Sequence, residues 1–216
     1  MSSAFRERFG VEILEGMGAT ETIFMVLSNR RGRSRPGSSG IPVPGTEARL
    51  LDADGRDVPD GAEGVLHVRA SSTSPFYWNR VDQSRRAFVG EWFRTGDVYI
   101  RDADGFYHHR GREDDRFKVA GMWVAPADVE RALSAHPAVA DAGVVGAADE
   151  HGLIKPFAFV VPRDADAPAD LARDLGRVAE AELPAHQRPR RIFLVTELPR
   201  TATGKLQRFR LREQIR

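Results

Sequence analysis

The stretch "LPRTATGKLQRFRL", Leu198 to Leu211, places one lysine, Lys205, after Thr-Ala-Thr-Gly and just ahead of a run of arginines. A phosphate-binding P-loop would need a glycine where Pro199 stands and a Ser or Thr where Leu206 stands, so spacing rules it out. Three other stretches hold groups able to do chemistry. In "EGMGATET" the small residues around Met17, Gly18 and Ala19 let backbone approach a ligand, and a hydroxyl (Thr20) and a carboxylate (Glu21) follow. Thr20 could donate to a phosphate and Glu21 could hold Mg²⁺; an ordinary glycine turn with a surface glutamate fits the same residues. "WFRTGD" ends in Asp97, which could accept hydrogen bonds from vicinal hydroxyls as acidic residues do with ribose, or could simply be a turn residue. "RGREDD" carries Arg110, Arg112, Asp114 and Asp115; Arg112 could reach the same ribose or a phosphate, and Asp114 could be a pivot. Acid–base work by the adjacent carboxylates is disfavoured, because neighbours on an extended strand point to opposite faces.

Several function classes are disfavoured by composition. The 216 residues carry a net charge of +1, which gives no general attraction for nucleic acid or anionic membranes. The absence of cysteine removes disulfides, thiol nucleophiles and Cys-ligated metal sites. The six histidines show no metal-ligand spacing. The basic stretch after Ala185 lacks the aromatic interleaving of a nucleic-acid surface and is better explained by a phosphorylated small molecule. No signal-peptide core and no membrane-length apolar run is present, so a cytoplasmic location is expected.

The elements that must position these groups fall into two textures. A helix over Ser3–Phe9 and a short unpartnered strand, Val11–Glu15, precede a Gly/Pro/Ser-rich loop at 30–46. Strands are predicted at Glu47–Leu51, Gly64–Arg69, Trp92–Arg94, Val98–Arg101 and Phe106–Arg110, with a helix at Asn79–Phe88, giving a barrel-like antiparallel region. Beyond residue 112 come a hairpin at Val119–Val124, a helix from Pro126, strands at Ala142–Gly146 and Phe157–Val161, and a helix over about 168–182. A strand at Ile192–Val195 leads to the lysine loop and a closing helix, Phe209–Ile215. The fold class expected is α+β: an antiparallel barrel-like end of a larger domain over 1–111, then a small α+β domain over 112–216.

Taken in order, "MGATE", "WFRTGD", "RGREDDRFKVAGMWVAPADVE" and "LPRTATGKLQR" resemble the adenylate-forming superfamily of acyl-CoA synthetases, adenylation domains and luciferases. "GMGATETIFMVLSNRRG", "GEWFRTGD" and "GLIKPFAFVV" look most like benzoate and other aryl-CoA ligases. The resemblance implies a two-step reaction: a small, aromatic carboxylic acid and ATP give an acyl-adenylate and pyrophosphate, then coenzyme A displaces AMP after the small domain rotates. It implies that Thr20 touches phosphate, Glu21 holds Mg²⁺, Met17, Gly18 and Ala19 line the nucleotide site, and Asp97 and Arg112 hold the ribose. It further implies that Asp114 is the hinge, that Gly121 and Trp123 border the pantetheine tunnel, and that Lys205 bridges carboxylate and AMP oxygens during adenylation from a flexible loop. Met17 stands where many relatives have an aromatic residue on adenine. A Gly-x-Pro-Lys-Gly phosphate loop is not found, which leads to the expectation of a C-terminal fragment inactive in adenylation by itself. Two alternatives remain: part of a carrier-protein-loading adenylation domain, or a non-catalytic nucleotide- or CoA-binding module.

Overall fold

Strand alternation builds the core of the first half of the chain. In "EGVLHVRA", Glu63–Ala70, Leu66 and Val68 lie two residues apart on one face and are fully buried. A computed structural model describes residues 2–164 and 170–215 and places this strand in the first of two compact units, Met1–Glu113 and Asp114–Arg216.

In the first unit, helix α1 (Ser2–Phe9) is followed by a small antiparallel sheet of β1 (Gly16–Gly18), β2 (Met25–Ser28) and β3 (Ile41–Pro42). The strand expected at Val11–Glu15 is therefore misplaced: it starts at Gly16, and it has a partner, β2. Glycines read as punctuation in a sequence, yet here they permit pairing. A Cβ on Gly16 would lie 2.7 Å from the Leu27 carbonyl oxygen, and one on Gly18 would lie 2.9 Å from that of Phe24. The Gly/Pro/Ser-rich loop is ordered around buried Asn29, whose amide donates to the carbonyls of Ser38 (2.8 Å) and Glu15 (3.1 Å) and whose oxygen accepts from the Arg35 N–H.

A five-stranded antiparallel sheet follows, from β4 (Thr46–Leu51), β5 (Glu63–Ala70), β6 (Phe88–Val89), β7 (Trp92–Arg101) and β8 (Tyr107–Arg112), with helix α2 (Val81–Ala87) before β6. Its order is β4–β5–β7–β6, with β8 also on β7. Among the described residues no hydrogen-bonded pairing joins β4 to β6 or β8, so the sheet is open and the expected barrel is not closed. The two strands expected within residues 92–101 are one. Gly96, at φ +74°, makes a bulge instead of a turn, and the ladder with β8 shifts register between Asp97 and Tyr99. Val26, Leu27, Leu50, Leu66, Val68, Phe93, Tyr99 and Tyr107 form the core of this unit.

The second unit starts with a hairpin of β9 (Phe117–Val119) and β10 (Met122–Val124). Ala120 (φ 49°) and Gly121 (φ 83°) both take positive φ, as a tight two-residue hairpin turn requires. Helix α3 (Pro126–Ser134) has proline in its first turn, where a missing N–H costs nothing. The sheet of β11 (Val139–Ala148), β12 (Ile154–Pro162) and β13 (Arg191–Leu194) has an antiparallel and a parallel pair; α4 (Leu171–Glu182) makes the crossover the parallel pair needs. Part of the helix expected over 168–182 lies outside the described residues. Val144, Ala158 and Val160 pack with residues of α3 and α4, including Val129, Leu133, Leu171 and Leu175. Val145, Phe157 and Phe159 alternate onto the other face, against Leu198 and Leu211 of α5 (Arg208–Glu213). Among the described residues no helix is long and apolar enough to cross a membrane.

Candidate functional site

In the first unit the strand β1 runs into a single helical turn, Thr20–Thr22. Thr22 locks it: its buried hydroxyl is 3.0 Å from the carbonyls of Ala19 and Phe24 and accepts from the Ala19 N–H. Ile23 ends the turn at φ 70°, ψ −41°, a conformation costly for a β-branched residue. Thr20 is left exposed, with no hydrogen bond to its hydroxyl among the described residues. Met17 and Ala19 are half-buried and pack against the core, while Gly18 is exposed.

Glu21 is half-buried, and the Tyr77 hydroxyl donates to its Oε1 at 2.6 Å. Burial, then the hydrogen bond and charge of Glu21, push the Tyr77 phenol up to about 12. The segment before Tyr77 is clipped to the same turn: Ser74 N–H donates to the Glu21 carbonyl at 2.7 Å and Ser72 Oγ to that of Thr22 at 2.8 Å. Sequence reasoning missed Tyr77, since nothing in "FYWNR" signals a partner 56 residues away. Among the described residues no group of three His, Cys, Asp or Glu could hold a metal by protein ligands alone. A lone carboxylate fits Mg²⁺, which keeps waters and takes substrate phosphates beside one or two carboxylates.

Asp97 and Arg112 face each other across β7 and β8. The Arg112 Nη1 donates to the Thr95 carbonyl at 2.8 Å and to Asp97 Oδ2 at 3.2 Å. Its guanidinium covers Gly96, where a Cβ would come within 3.0 Å of Nη2. Thr95 fixes the bulge, donating from Oγ1 to the Leu66 carbonyl (3.0 Å) and accepting the Asp97 N–H (3.0 Å). His109 Nε2 lies 3.3 Å from Asp97 Oδ1, and its ring packs on Tyr99. His109 was also missed; counting back from the Asp104-Gly105 turn along both strands would have placed it opposite Tyr99, diagonal to Asp97. A carboxylate has about four lone-pair sites, so acceptor capacity remains on Asp97 for two hydroxyls.

In the second unit, Lys205 is exposed, and its ammonium has no hydrogen bond or ion pair among the described residues. Its loop is closed by bonds of its own, which the sequence did not suggest. Arg200 and Leu206 form a β-bridge, Thr201 N–H donates to the Lys205 carbonyl (2.8 Å), and Lys205 N–H donates to Thr201 Oγ1 (3.1 Å). Arg200 spans the tip, bonding the Gly204 carbonyl at 2.7 Å and Asp141 at 2.6 Å. Below it, the Arg208 guanidinium meets Glu130 at 2.5 Å, Asp115 at 3.1 Å and the Val144 carbonyl at 2.9 Å. Asp114 is exposed within the turn Glu113–Asp115 and opens this unit. Gly121 sits at the hairpin tip with open space around it, and Trp123 is 57% exposed with the Lys118 ammonium 4.8 Å from its ring centre.

Comparison with known proteins covers nearly the whole chain. Residues 1–78 match the profile of the AMP-binding enzyme family, and residues 128–205 match that of the AMP-binding enzyme C-terminal domain. The benzoate–CoA ligase of Thauera aromatica is 45% identical over 210 residues, 96% of this chain and 40% of the relative. The 4-hydroxybenzoate–CoA/benzoate–CoA ligase of Rhodopseudomonas palustris is 44% identical over 97% of this chain and 39% of its own length. The chain thus spans about 40% of the length of the curated relatives it matches. Among solved structures, an anthranilate CoA ligase in complex with anthranoyl-AMP superposes with a TM-score of 0.91 at 45% identity, covering 100% of this chain and 42% of that one. A benzoate CoA ligase from Burkholderia xenovorans LB400 gives 0.89 at 45% identity, over 98% and 42%. The chain belongs to the adenylate-forming, AMP-binding enzymes.

Proposed function

We propose that this chain provides the AMP- and CoA-handling part of an aryl acid:CoA ligase, which converts acid, ATP and CoA to acyl-CoA, AMP and pyrophosphate. The observation that carries the reading is the Asp97–Arg112 pair. A carboxylate oriented by a guanidinium on a rigid bulge, with acceptor capacity to spare, suits the two hydroxyls of a ribose. Met17, Gly18 and Ala19 would line the nucleotide site beside it, and Thr20 would donate to phosphate.

Glu21 is the residue that would hold Mg²⁺, with Oε2 as the oxygen the Tyr77 hydroxyl leaves open. When bound, the ion neutralises phosphate charge. Lys205 would bridge the acid's carboxylate and the α-phosphate oxygens, where charge grows in the adenylation transition state. A strongly hydrated point charge on a long stem suits that part. Because its loop is braced, the ammonium would enter and leave with the whole second unit, turning at Asp114, rather than by flexing of the loop. Gly121 and Trp123 would then border the path of the pantetheine arm. A barrel-like, unclosed end of the first domain and a domain boundary at 111–112 belong to the same reading.

The acid class follows from the relatives, whose names include benzoate, hydroxybenzoates and anthranilate. The test joins this chain to the N-terminal three fifths of the Thauera aromatica relative. That hybrid should support ATP–pyrophosphate exchange and thioester formation with benzoate or an amino- or hydroxybenzoate, while the 216-residue chain by itself stays at background. Robust exchange by the chain alone, or none by a folded hybrid, would overturn the reading.

A further inference from the structure

We propose that Tyr77 is a positioning residue for the metal–nucleotide step, holding one oxygen of Glu21 so that the other faces the cation. The inference rests on the assignment of Glu21 under the proposed function, and it names a residue that assignment does not include.

The geometry is specific. The phenol donates to Oε1 of Glu21 at 2.6 Å, the length of a strong hydrogen bond to an ionised acceptor. Among the described residues it is the sole side chain that bonds this carboxylate. Without it, the Glu21 side chain would sample its rotamers freely from a one-turn element with a strained end at Ile23.

Tyr77 is itself anchored from both sides. Its ring packs on Phe88 at 5.2 Å, and Phe88 packs on buried Phe93 at 5.3 Å, so the ring continues the core of the first unit. Its N–H donates to Ser84 Oγ of α2 at 2.9 Å. The bonds from Ser72 Oγ and the Ser74 N–H keep segment 72–77 against the Thr20–Thr22 turn. The hydroxyl is thus delivered to Glu21 by a rigid frame, as an outer partner that orients a metal-binding carboxylate should be. A neutral phenol also suits the place better than a lysine or arginine, because it fixes the carboxylate while leaving its negative charge for the cation.

Tyr77→Phe removes the hydroxyl and keeps the ring packing. The assay uses the hybrid enzyme with Mn²⁺ as the probe, reading ATP-dependent Mn²⁺ binding by electron paramagnetic resonance. Tyr77→Phe should weaken it by about 10–100-fold, the range for losing an outer-shell partner. Glu21→Gln should weaken it at least as much, and the double variant should be little worse than Glu21→Gln. Thioester formation from pre-made acyl-adenylate should be retained in Tyr77→Phe, which separates positioning from a folding defect. Unchanged or tighter Mn²⁺ binding in Tyr77→Phe, with binding lost in Glu21→Gln, overturns the role of Tyr77 and leaves that of Glu21 standing. Unchanged binding in both variants overturns the Glu21 assignment and the inference with it. Equal loss of both half-reactions in Tyr77→Phe would mean that the hydroxyl is structural.

Discussion

Asp97 and Lys205 carry opposite charges and are held in opposite ways. Asp97 is embedded: its side chain is 17% exposed, Arg112 and His109 reach its two oxygens, and Thr95 fixes its backbone. Lys205 is braced only up to its Cα, and among the described residues its exposed ammonium has no partner. The difference fits two kinds of work. A carboxylate that recognises hydroxyls gains from being fixed before the ligand arrives, since less ordering is left for binding. A cation needed only in one step, as proposed for Lys205, must not be neutralised by its own protein, and its neighbours hold the backbone and leave the charge alone.

The largest effect is expected from breaking the brace rather than the lysine. Arg208 and Glu130 are only 14% and 18% exposed, so removing one charge strands the other. Arg208→Met should cost about 3 kcal/mol in the second unit, the low end for breaking a buried pair. Hydrogen exchange at Val144 and Val160 in the 216-residue chain would measure it. Arg208→Met with Glu130→Gln should recover most of the loss, since glutamine can still accept the Val144 N–H now bonded to Glu130 at 2.8 Å. A single variant as stable as the parent would show that the tip is not held from below.

Next is Lys205→Ala in the hybrid enzyme. Adenylation should fall by about a hundredfold or more, the scale for losing one aimed electrostatic group. Thioester formation from pre-made acyl-adenylate should fall far less, and the stability of the second unit should not change, because the ammonium makes no hydrogen bond or ion pair among the described residues. Asp97→Asn tests the other side of the comparison. It keeps the shape but loses charge-assisted bonds, so the KM for ATP should rise by about tenfold. Stability should fall as well, since the ion pair between Arg112 and Asp97 is lost. If Asp97→Asn affects binding alone and Lys205→Ala affects stability, the contrast between embedded and held-out charge is reversed.

What the sequence revealed follows the same division. Local patterns were readable: the helix start at Pro126, the hairpin over Val119–Val124, and the middles of β5, β11 and β12. The site residues stood out as motifs, and Asp97 with Arg112 could be suspected of sharing a ligand. What stayed hidden depends on distant partners. Gly16 and Gly18 read as a close approach to a ligand or a glycine turn, because the strand that needs their missing side chains begins only at Met25. Gly96 read as a turn because a bulge is visible only once β5 and β8 flank it. Tyr77 and His109 lacked any motif, and register alone brings His109 to Asp97. The bracing of the Lys205 loop was missed because glycine and threonine suggest freedom, whereas Thr201 and Arg200 spend their polar groups closing the loop on itself.

The smallest effect concerns the turn that sets the register of Asp97 against Arg112. Asp102 opens the link between β7 and β8; its Oδ1 accepts from the N–H groups of Asp104 (3.0 Å) and Phe106 (2.9 Å). Its Oδ2 meets His108 Nε2 at 2.9 Å and the Arg35 guanidinium. Burial pushes this carboxyl up, but the bonds from His108, Phe106 and Arg35 outweigh it and hold it at about 2, below the ordinary 3.8. A group whose folded value is depressed stabilises the fold fully above its unfolded value and loses that contribution as pH falls towards the folded one. The turn should therefore be firm above about pH 4 and weaken between about 4 and 2. Asp102→Asn removes the titrating group, so the parent should melt higher than the variant at pH 5, by roughly 4 °C if about 1 kcal/mol is at stake. The gap should close as pH approaches 2. Melting curves of both 216-residue chains at half-unit steps would follow it. A gap that stays constant down to pH 2 would show that the Asp102 charge is not what secures the hairpin, and that the Asp97–Arg112 register is set by the Gly96 bulge instead.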